Sequence, residues 1–377
     1  MSKKKVLFVT SSRADYSLQK KIIELFSNNQ KFRVYVIITG THLSKYYGLT
    51  KNEIHLNNKI TKIYLKQDLS KDKHHDICKI FSKYIEKFND ILISIKADLS
   101  ILLGDRYEIL SAAMALSFNK IPIIHLHGGE STFGSDDDTY RDIISKLSEY
   151  HFVSHSNYKK KLISLGLDKK KIFNLGAFCS DNLNSLEKLS INEIEDRIQF
   201  NINNRKYFVF TYHPESKFLE NETLKLKSIL ECLKKFTNIC FILTSSNHDP
   251  LSNKINKYLI NFSKDNSKNF HFTHSLGSKF YLNLINYSLG VIGNSSSGVI
   301  EAPYFKIPTV NIGLRQHGRY MHQSVINSSF EQKSIISAIK KSLDSKFIKK
   351  IQKMNNLLIK KNVSLNCHNK ISSIYAE

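Results

Sequence analysis

The sequence predicts an α/β fold built as two Rossmann-like domains. Three observations carry that expectation. Short β-rich apolar runs alternate with segments whose apolar residues recur at spacings of three and four, the pattern of strand–helix–strand units in a parallel sheet. The alternation restarts in the second half of the chain. At 377 residues the chain also exceeds the roughly 100 to 200 residues of one ordinary core.

The elements follow in order. Strands are predicted over 6–10, 34–39, 59–65, 99–103 and 122–126, and residues 76–95 place Ile77, Ile80, Phe81, Tyr84, Ile85 and Phe88 on one helical face. A small-residue turn, Ser11 to Ser17, joins the first strand to a helix expected to begin near Ser17. In the second half, 207–212, 239–244, 270–273, 289–292 and 309–312 read as strands. The first domain is expected over 1–176, ending where the segment from Lys171 to Ser180 leaves its sheet, and the second over 177–360. The tail from about 345 reads as helical and lysine-rich, with residues 361–377 expected to pack back on the first domain. Ligands of open α/β sheets bind beyond the C-terminal ends of the strands, so the two domains are expected to face each other across a binding cleft.

Composition narrows the function classes. No apolar run approaches the roughly 20 residues of a spanning helix, and the apolar run Val6 to Val9 behind the lysine-rich start is too short for a signal peptide. A cytoplasmic protein without a membrane partner is expected. The five cysteines contain no CxxC pair and form an odd set, which fits reduced structural thiols. The net charge of +23 raises a nucleic-acid reading, but lysines spread along the whole chain supply most of it. A solvated lysine surface is the expectation, with no nucleic-acid partner. Arginine is more informative: five of the eight, Arg13, Arg106, Arg141, Arg315 and Arg319, fall in Gly/Ser/Asp/His-rich segments, where guanidinium suits diphosphate or carboxylate.

Those segments follow strands. Ser11-Ser12-Arg13-Ala14-Asp15-Tyr16-Ser17 reads either as an anion-binding helix start or as a simple capped turn. Neither GxGxxG nor a P-loop occurs, so NAD and ATP lose support. Gly104-Asp105-Arg106-Tyr107-Glu108 brings an acid and a base out together at a strand end. In His125-Leu126-His127-Gly128-Gly129-Glu130 no further ligand spacing supports a metal. His127, Glu130 and Asp136 to Asp138 are instead candidates for proton transfer, with a capping loop as the plainer alternative. Tyr212-His213-Pro214-Glu215 ends a strand with a histidine, and Ser245-Ser246-Asn247-His248-Asp249 suits nucleoside hydroxyls or a turn. Gly293-Asn294-Ser295-Ser296-Ser297-Gly298 with Glu301 one turn later reads as a phosphate cradle beside a ribose acceptor, and Arg315 and Arg319 add cations after the next strand.

Taken together, the ordered set SRADYS, GDRYE, HLHGGE, DDTYR, YHPE, GNSSSG…E and NIGLRQHGR resembles, over the full chain, the hydrolysing UDP-N-acetylglucosamine 2-epimerases of sialic acid biosynthesis, which have a GT-B-like fold. The resemblance implies UDP contacts from Arg13, Ser17, Arg106, His213, Asn247, Ser295, Ser296, Glu301 and Arg315, and places Asp105 and Asp137 at the family's catalytic carboxylates. Where much of the superfamily has HxE, this chain has HLH, which leaves His127 and Glu130 as two candidates for one acid/base group. Relatives commonly have Arg-His at Arg141-Asp142, and Thr41 replaces the Gln of an allosteric substrate site in non-hydrolysing relatives. The implied course is anti elimination of UDP to a 2-acetamidoglucal, then hydration to N-acetylmannosamine, with His213 among the groups serving the departing diphosphate. No metal or other cofactor is called for. A homo-oligomer, dimer or tetramer, is expected. The alternatives are the same reaction on a UDP- or GDP-linked diacetamido sugar such as diacetylbacillosamine, and a GT-B glycosyltransferase, which would need an acceptor surface.

Overall fold

A computed structural model of the chain describes residues 3–45, 47–71, 73–246, 249–274 and 276–375. The chain divides into two compact units, one comprising Met1–Glu130, Asp137–Asn184 and Leu357–Glu377, the other Ser131–Asp136 and Ser185–Asn356.

In the first unit, strands β1 (Lys4–Thr10), β2 (Phe32–Ile38), β3 (Thr61–Tyr64), β4 (Leu99–Leu103), β5 (Ile123–Leu126), β6 (Tyr150–Val153) and β7 (Ile172–Asn174) form one sheet in the order β3-β2-β1-β4-β5-β6-β7. Every pairing between them is parallel. Helices α1 (Arg13–Asn28), α2 (His74–Ile95), α3 (Tyr107–Phe118), α4 (Asp137–Leu147), α5 (Ser156–Ser164) and α6 (Cys179–Asn184) connect the strands. Both faces of β1 are covered: Val6 and Phe8 enter one core, Leu7 and Val9 the other. That is why the strand is a continuous apolar run rather than an alternating one. The strand order reverses between β1 and β4, and such a switch point opens a crevice at the strands' C-terminal ends.

The second unit repeats the plan. After α7 (Ile191–Ile198) come β8 (Tyr207–Thr211), α8 (Glu222–Lys234), β9 (Cys240–Thr244), α9 (Ser252–Asp265), β10 (Phe270–Thr273), α10 (Gly277–Asn286), β11 (Val291–Gly293), α11 (Ser296–Ile300), β12 (Thr309–Ile312), β13 (Val325–Ser328), α12 (Gln332–Ser342) and α13 (Ser345–Ile351). Its sheet runs β10-β9-β8-β11-β12-β13, again parallel, with the switch between β8 and β11.

The last helix, α14 (Val363–Tyr375), belongs to the first unit. Val363, Cys367 and Ile371, four apart, join Phe8 and Phe26 in its core. The Asp181 carboxylate caps the start of α14, accepting from the backbone N–H of Val363 at 3.2 Å and of Ser364 at 2.8 Å. The units part at 184/185 and 356/357, where the sequence reading divided the chain at 176/177 and 360/361. Helix α6 stays with the first unit because Asn182 donates to Ser17 O at 2.7 Å and Asp181 holds α14. Strands β6, β7 and β13 are additional to those predicted.

Candidate functional site

At the switch point of the first sheet, α1 begins at Arg13, not near Ser17, because Ser12 and Asp15 form a capping box around its first turn. The Asp15 carboxylate accepts from Ser11 N at 2.9 Å, Ser11 Oγ at 2.8 Å and Thr10 Oγ1 at 2.5 Å, and from Ser12 N as well. The Ser11 and Ser12 N–H groups ahead of the helix are thus occupied by the chain's own carboxylate. His42, fully buried behind them, lies 3.0 Å from Thr10 Oγ1 and 2.9 Å from Thr50 Oγ1, and burial lowers its affinity for a proton. Arg13 and Ser17 are half-buried on α1, with the Ser17 hydroxyl donating to Ala14 O at 2.9 Å.

Gly104 turns the chain out of β4 with φ +92°, a conformation that glycine adopts without strain. Arg106, rather than Asp105, is the N-cap residue of α3, and its Nε donates to Glu108 at 3.2 Å. Glu108 is wholly buried, which raises its carboxyl pKa despite that arginine. Asp105 instead pairs with Nη2 of Arg141 while keeping about a fifth of its side chain (21%) exposed. Arg141 is buried in full; its Nη1 donates to Glu130 O at 2.8 Å and reaches Asp138 at 3.5 Å. Burial works against its charge, but Asp105, Glu130 and Asp137 more than offset this and hold its pKa above the ordinary arginine value. Asp137 opens α4 in the half-buried first turn.

The two histidines of HLH part company. His125 is a core residue, with Nε2 2.8 Å from Gly104 O and Nδ1 3.0 Å from Ser145 Oγ, and burial lowers its pKa to about 3. His127 adopts φ +65°, unusual for a residue with a side chain. Its Nε2 accepts from Phe178 N at 3.1 Å, so the proton belongs on Nδ1, which donates to Glu130 Oε1 at 2.7 Å. Ser154 Oγ donates to the same carboxylate oxygen at 3.0 Å. Both ring nitrogens of His127 are therefore engaged inside the unit, and the imidazole orients Glu130.

The second unit gathers its groups at the β8/β11 switch. The Asn294 amide grips the His213 backbone, accepting from N at 2.7 Å and donating to O at 2.8 Å. Nδ1 of His213 lies 3.1 Å from Ser246 Oγ and 3.7 Å from Asp249 Oδ2, which is itself 3.5 Å from Nη2 of Arg315. Glu215 accepts from the backbone N–H of Leu314 at 2.5 Å and of Arg315 at 3.0 Å, fixing the loop that carries the guanidinium. The segment Ser131–Asp136 packs on that loop: Phe133 N donates to His317 O at 3.1 Å, and a Cβ on Gly134 would meet Arg315 N and Cα at 2.8 Å. Helix α11 spans only five residues; Ser295 is its N-cap, Ser296 is half-buried in its first turn, and Ser297 Oγ meets Tyr281 OH at 2.6 Å. Burial raises the pKa of Glu301, at the end of α11, to about 7. Asn247 lies outside the described residues.

Each unit thus carries its own cluster: carboxylates around Arg141 at the switch point of the first, and His213 with Asp249 and Arg315 at that of the second. The profile of the UDP-N-acetylglucosamine 2-epimerase family matches residues 24–372. The chain belongs to that family. A family relative, the GDP/UDP-N,N'-diacetylbacillosamine 2-epimerase (hydrolyzing) of Campylobacter jejuni, is 38% identical over 87% of this chain and 85% of its own. The polysialic acid biosynthesis protein P7 of Escherichia coli is 35% identical over 96% and 92%. Among solved structures, the UDP-GlcNAc 2-epimerase of Neisseria meningitidis bound to UDP-GlcNAc superposes with a TM-score of 0.80 at 20% identity, covering 98% of this chain and 100% of that one. This last likeness is one of fold, the GT-B-like pair of parallel α/β sheets.

Asp142, next to Arg141 on α4, pairs with Lys161 at 3.1 Å. Arg141 and Asp249 were not among the site residues assigned from sequence. Arg141 left a readable trace: it shares the buried face of α4 with Ile144 and Ser145, and an arginine turned to a core calls for carboxylate partners. Asp249 closes the Ser245–Asp249 segment read for nucleoside hydroxyls or a turn, but its cationic neighbours come from distant segments.

Proposed function

We propose that the protein is a hydrolysing 2-epimerase converting UDP-N-acetylglucosamine to N-acetylmannosamine and UDP. The observation that carries this reading is the match, spanning both units, to a relative named for hydrolytic 2-epimerisation. In the proposed course a carboxylate removes the C2 proton while the C1–O bond breaks and its electron pair leaves with UDP. Water then adds to the 2-acetamidoglucal, its oxygen to C1 and a proton to the opposite face of C2. His213 and Arg315 hold the departing diphosphate charge, with Arg13, Ser17, Arg106, Asn247, Ser295 and Ser296 as further UDP contacts and Glu301 as acceptor for the ribose hydroxyls. Asp105, paired with Arg141, and Asp137 are the proton carriers. Glu130 is the third, and His127 serves by orienting it.

Incubation with UDP-N-acetylglucosamine in D2O tests this. Free N-acetylmannosamine carrying one deuterium at C2 should appear with UDP; UDP released only when an acceptor sugar is added would indicate glycosyl transfer instead. The Campylobacter relative's name favours a second substrate, UDP- or GDP-linked N,N'-diacetylbacillosamine. Comparing kcat/KM for the three nucleotide sugars decides between them. The name of the Escherichia coli relative supports a place for the product in sialic acid synthesis.

A further inference from the structure

A carboxylate beside a diphosphate site is an expensive neighbour, and Asp249 is one. Its Oδ2 lies 3.7 Å from His213 Nδ1 and 3.5 Å from Arg315 Nη2, and all three side chains are buried. The Arg315 guanidinium disfavours a second cation near it. Unopposed, it would drive the neighbouring imidazole neutral. The Asp249 carboxylate opposes it, within the distance at which an opposite charge favours an imidazolium.

Groups facing His213 from neighbouring segments, among the described residues, include the Ser246 hydroxyl after β9 and Asp249 in the loop that follows, which also pairs with Arg315 after β12, while the neutral Asn294 amide after β11 binds the His213 backbone. On its own segment, Glu215 is turned to the backbone N–H groups of Leu314 and Arg315. Ser246 and Asp249 both lie on the Nδ1 side of the ring.

We propose that Asp249 is a positioning residue that keeps the His213 imidazole protonated and turns its Nδ1 edge inward, so that Nε2 is presented to the nucleotide diphosphate as a charged donor. The inference rests on the assignment of His213 and Arg315 to that diphosphate.

The test follows the histidine signals of the full-length protein, labelled with 15N-histidine, through a pH titration, with His213 identified by its loss in His213→Gln. Asp249→Asn should lower the His213 midpoint by about one pH unit or more, whereas Asp249→Glu should leave it near wild type. Unchanged signals from the core His125 report an intact fold. In parallel, affinity for UDP-glucose, whose esterified diphosphate does not ionise near neutrality, should fall as pH rises through the His213 midpoint. In Asp249→Asn that fall should move to lower pH by the same amount. A merely structural Asp249 would instead weaken binding by one factor at every pH. A midpoint unchanged or raised in Asp249→Asn overturns the proposal. A lowered midpoint with no UDP-glucose binding at any pH leaves the pairing standing and overturns the diphosphate assignment, so the two failures are distinguishable.

Discussion

His127 shows how much a single position can carry: a left-handed backbone, an acceptor bond from Phe178 N and a donor bond to Glu130 meet in it. Asparagine tolerates the same backbone but lacks the ring's span between those partners. His127→Asn should therefore lower kcat roughly tenfold or more, within the range that a mispositioned acid/base group costs, with KM less affected; equal losses in both would point to substrate binding. Asp105→Asn should cut kcat by roughly 10²- to 10⁴-fold while calorimetry finds UDP affinity near wild type, whereas Arg315→Ala should weaken UDP. Glu301 gives a reading at pH 7. Burial raises its pKa to about 7, so part of the population is protonated there. Hydrogen bonds from ribose hydroxyls favour the carboxylate. UDP-glucose binding at pH 7 should then carry a proton-release component from this carboxyl, measured as a dependence of calorimetric heat on buffer ionisation enthalpy, and Glu301→Gln should remove that component. Asp105 and Glu130 stood out in the sequence as candidates because each follows a strand end. The binding partner of Asp105 was not, since Arg141 lies 36 residues on and only folding brings the two together.

At the scale of elements, the buried central strands were readable because both faces are covered and the apolar run is unbroken. Strands β6 and β13, four residues each at or near the sheet's edge, carry too little of that pattern: Val325–Ser328 ends in Asn and Ser. Helix α1 starts at Arg13 rather than near Ser17 because Ser12 and Asp15 cap it, the plainer of the two readings of that turn. Helix α14 depends on a cap from another helix. Asp181→Ala should cost about 1 kcal/mol and speed amide exchange across Val363–Tyr375 without altering β1. Gly134→Ala should cost about 1–3 kcal/mol, because its methyl group meets the Arg315 backbone. Denaturant melts of the variant and wild type would measure it.

For the whole molecule, buried histidines set the acid limit. Burial lowers the pKa of His125 to about 3 and of His151 to about 4, from an ordinary 6.5. Between those values the unfolded chain binds more protons than the folded one. Stability is then complete above about pH 6.5 and falls as the pH drops toward 3, by on the order of 1 kcal/mol per pH unit for each ring. The chain has no tryptophan, so circular dichroism is the suitable probe. Melts from pH 7 to 4 should lose stability less steeply in His125→Gln.

Membership of the two units alternates along the chain, with changes at 130/131, 136/137, 184/185 and 356/357. This bears on how such genes can exchange parts. A single recombination crossover near 184 between two diverged homologues would give the 131–136 segment one parent and its seat at Arg315 and His317 the other, and would separate Phe8 and Phe26 from the parent of Val363, Cys367 and Ile371. Substrate preference should therefore pass between lineages as whole genes or through paired exchanges, and chimaeras made with one junction should fold less well than those that carry all four.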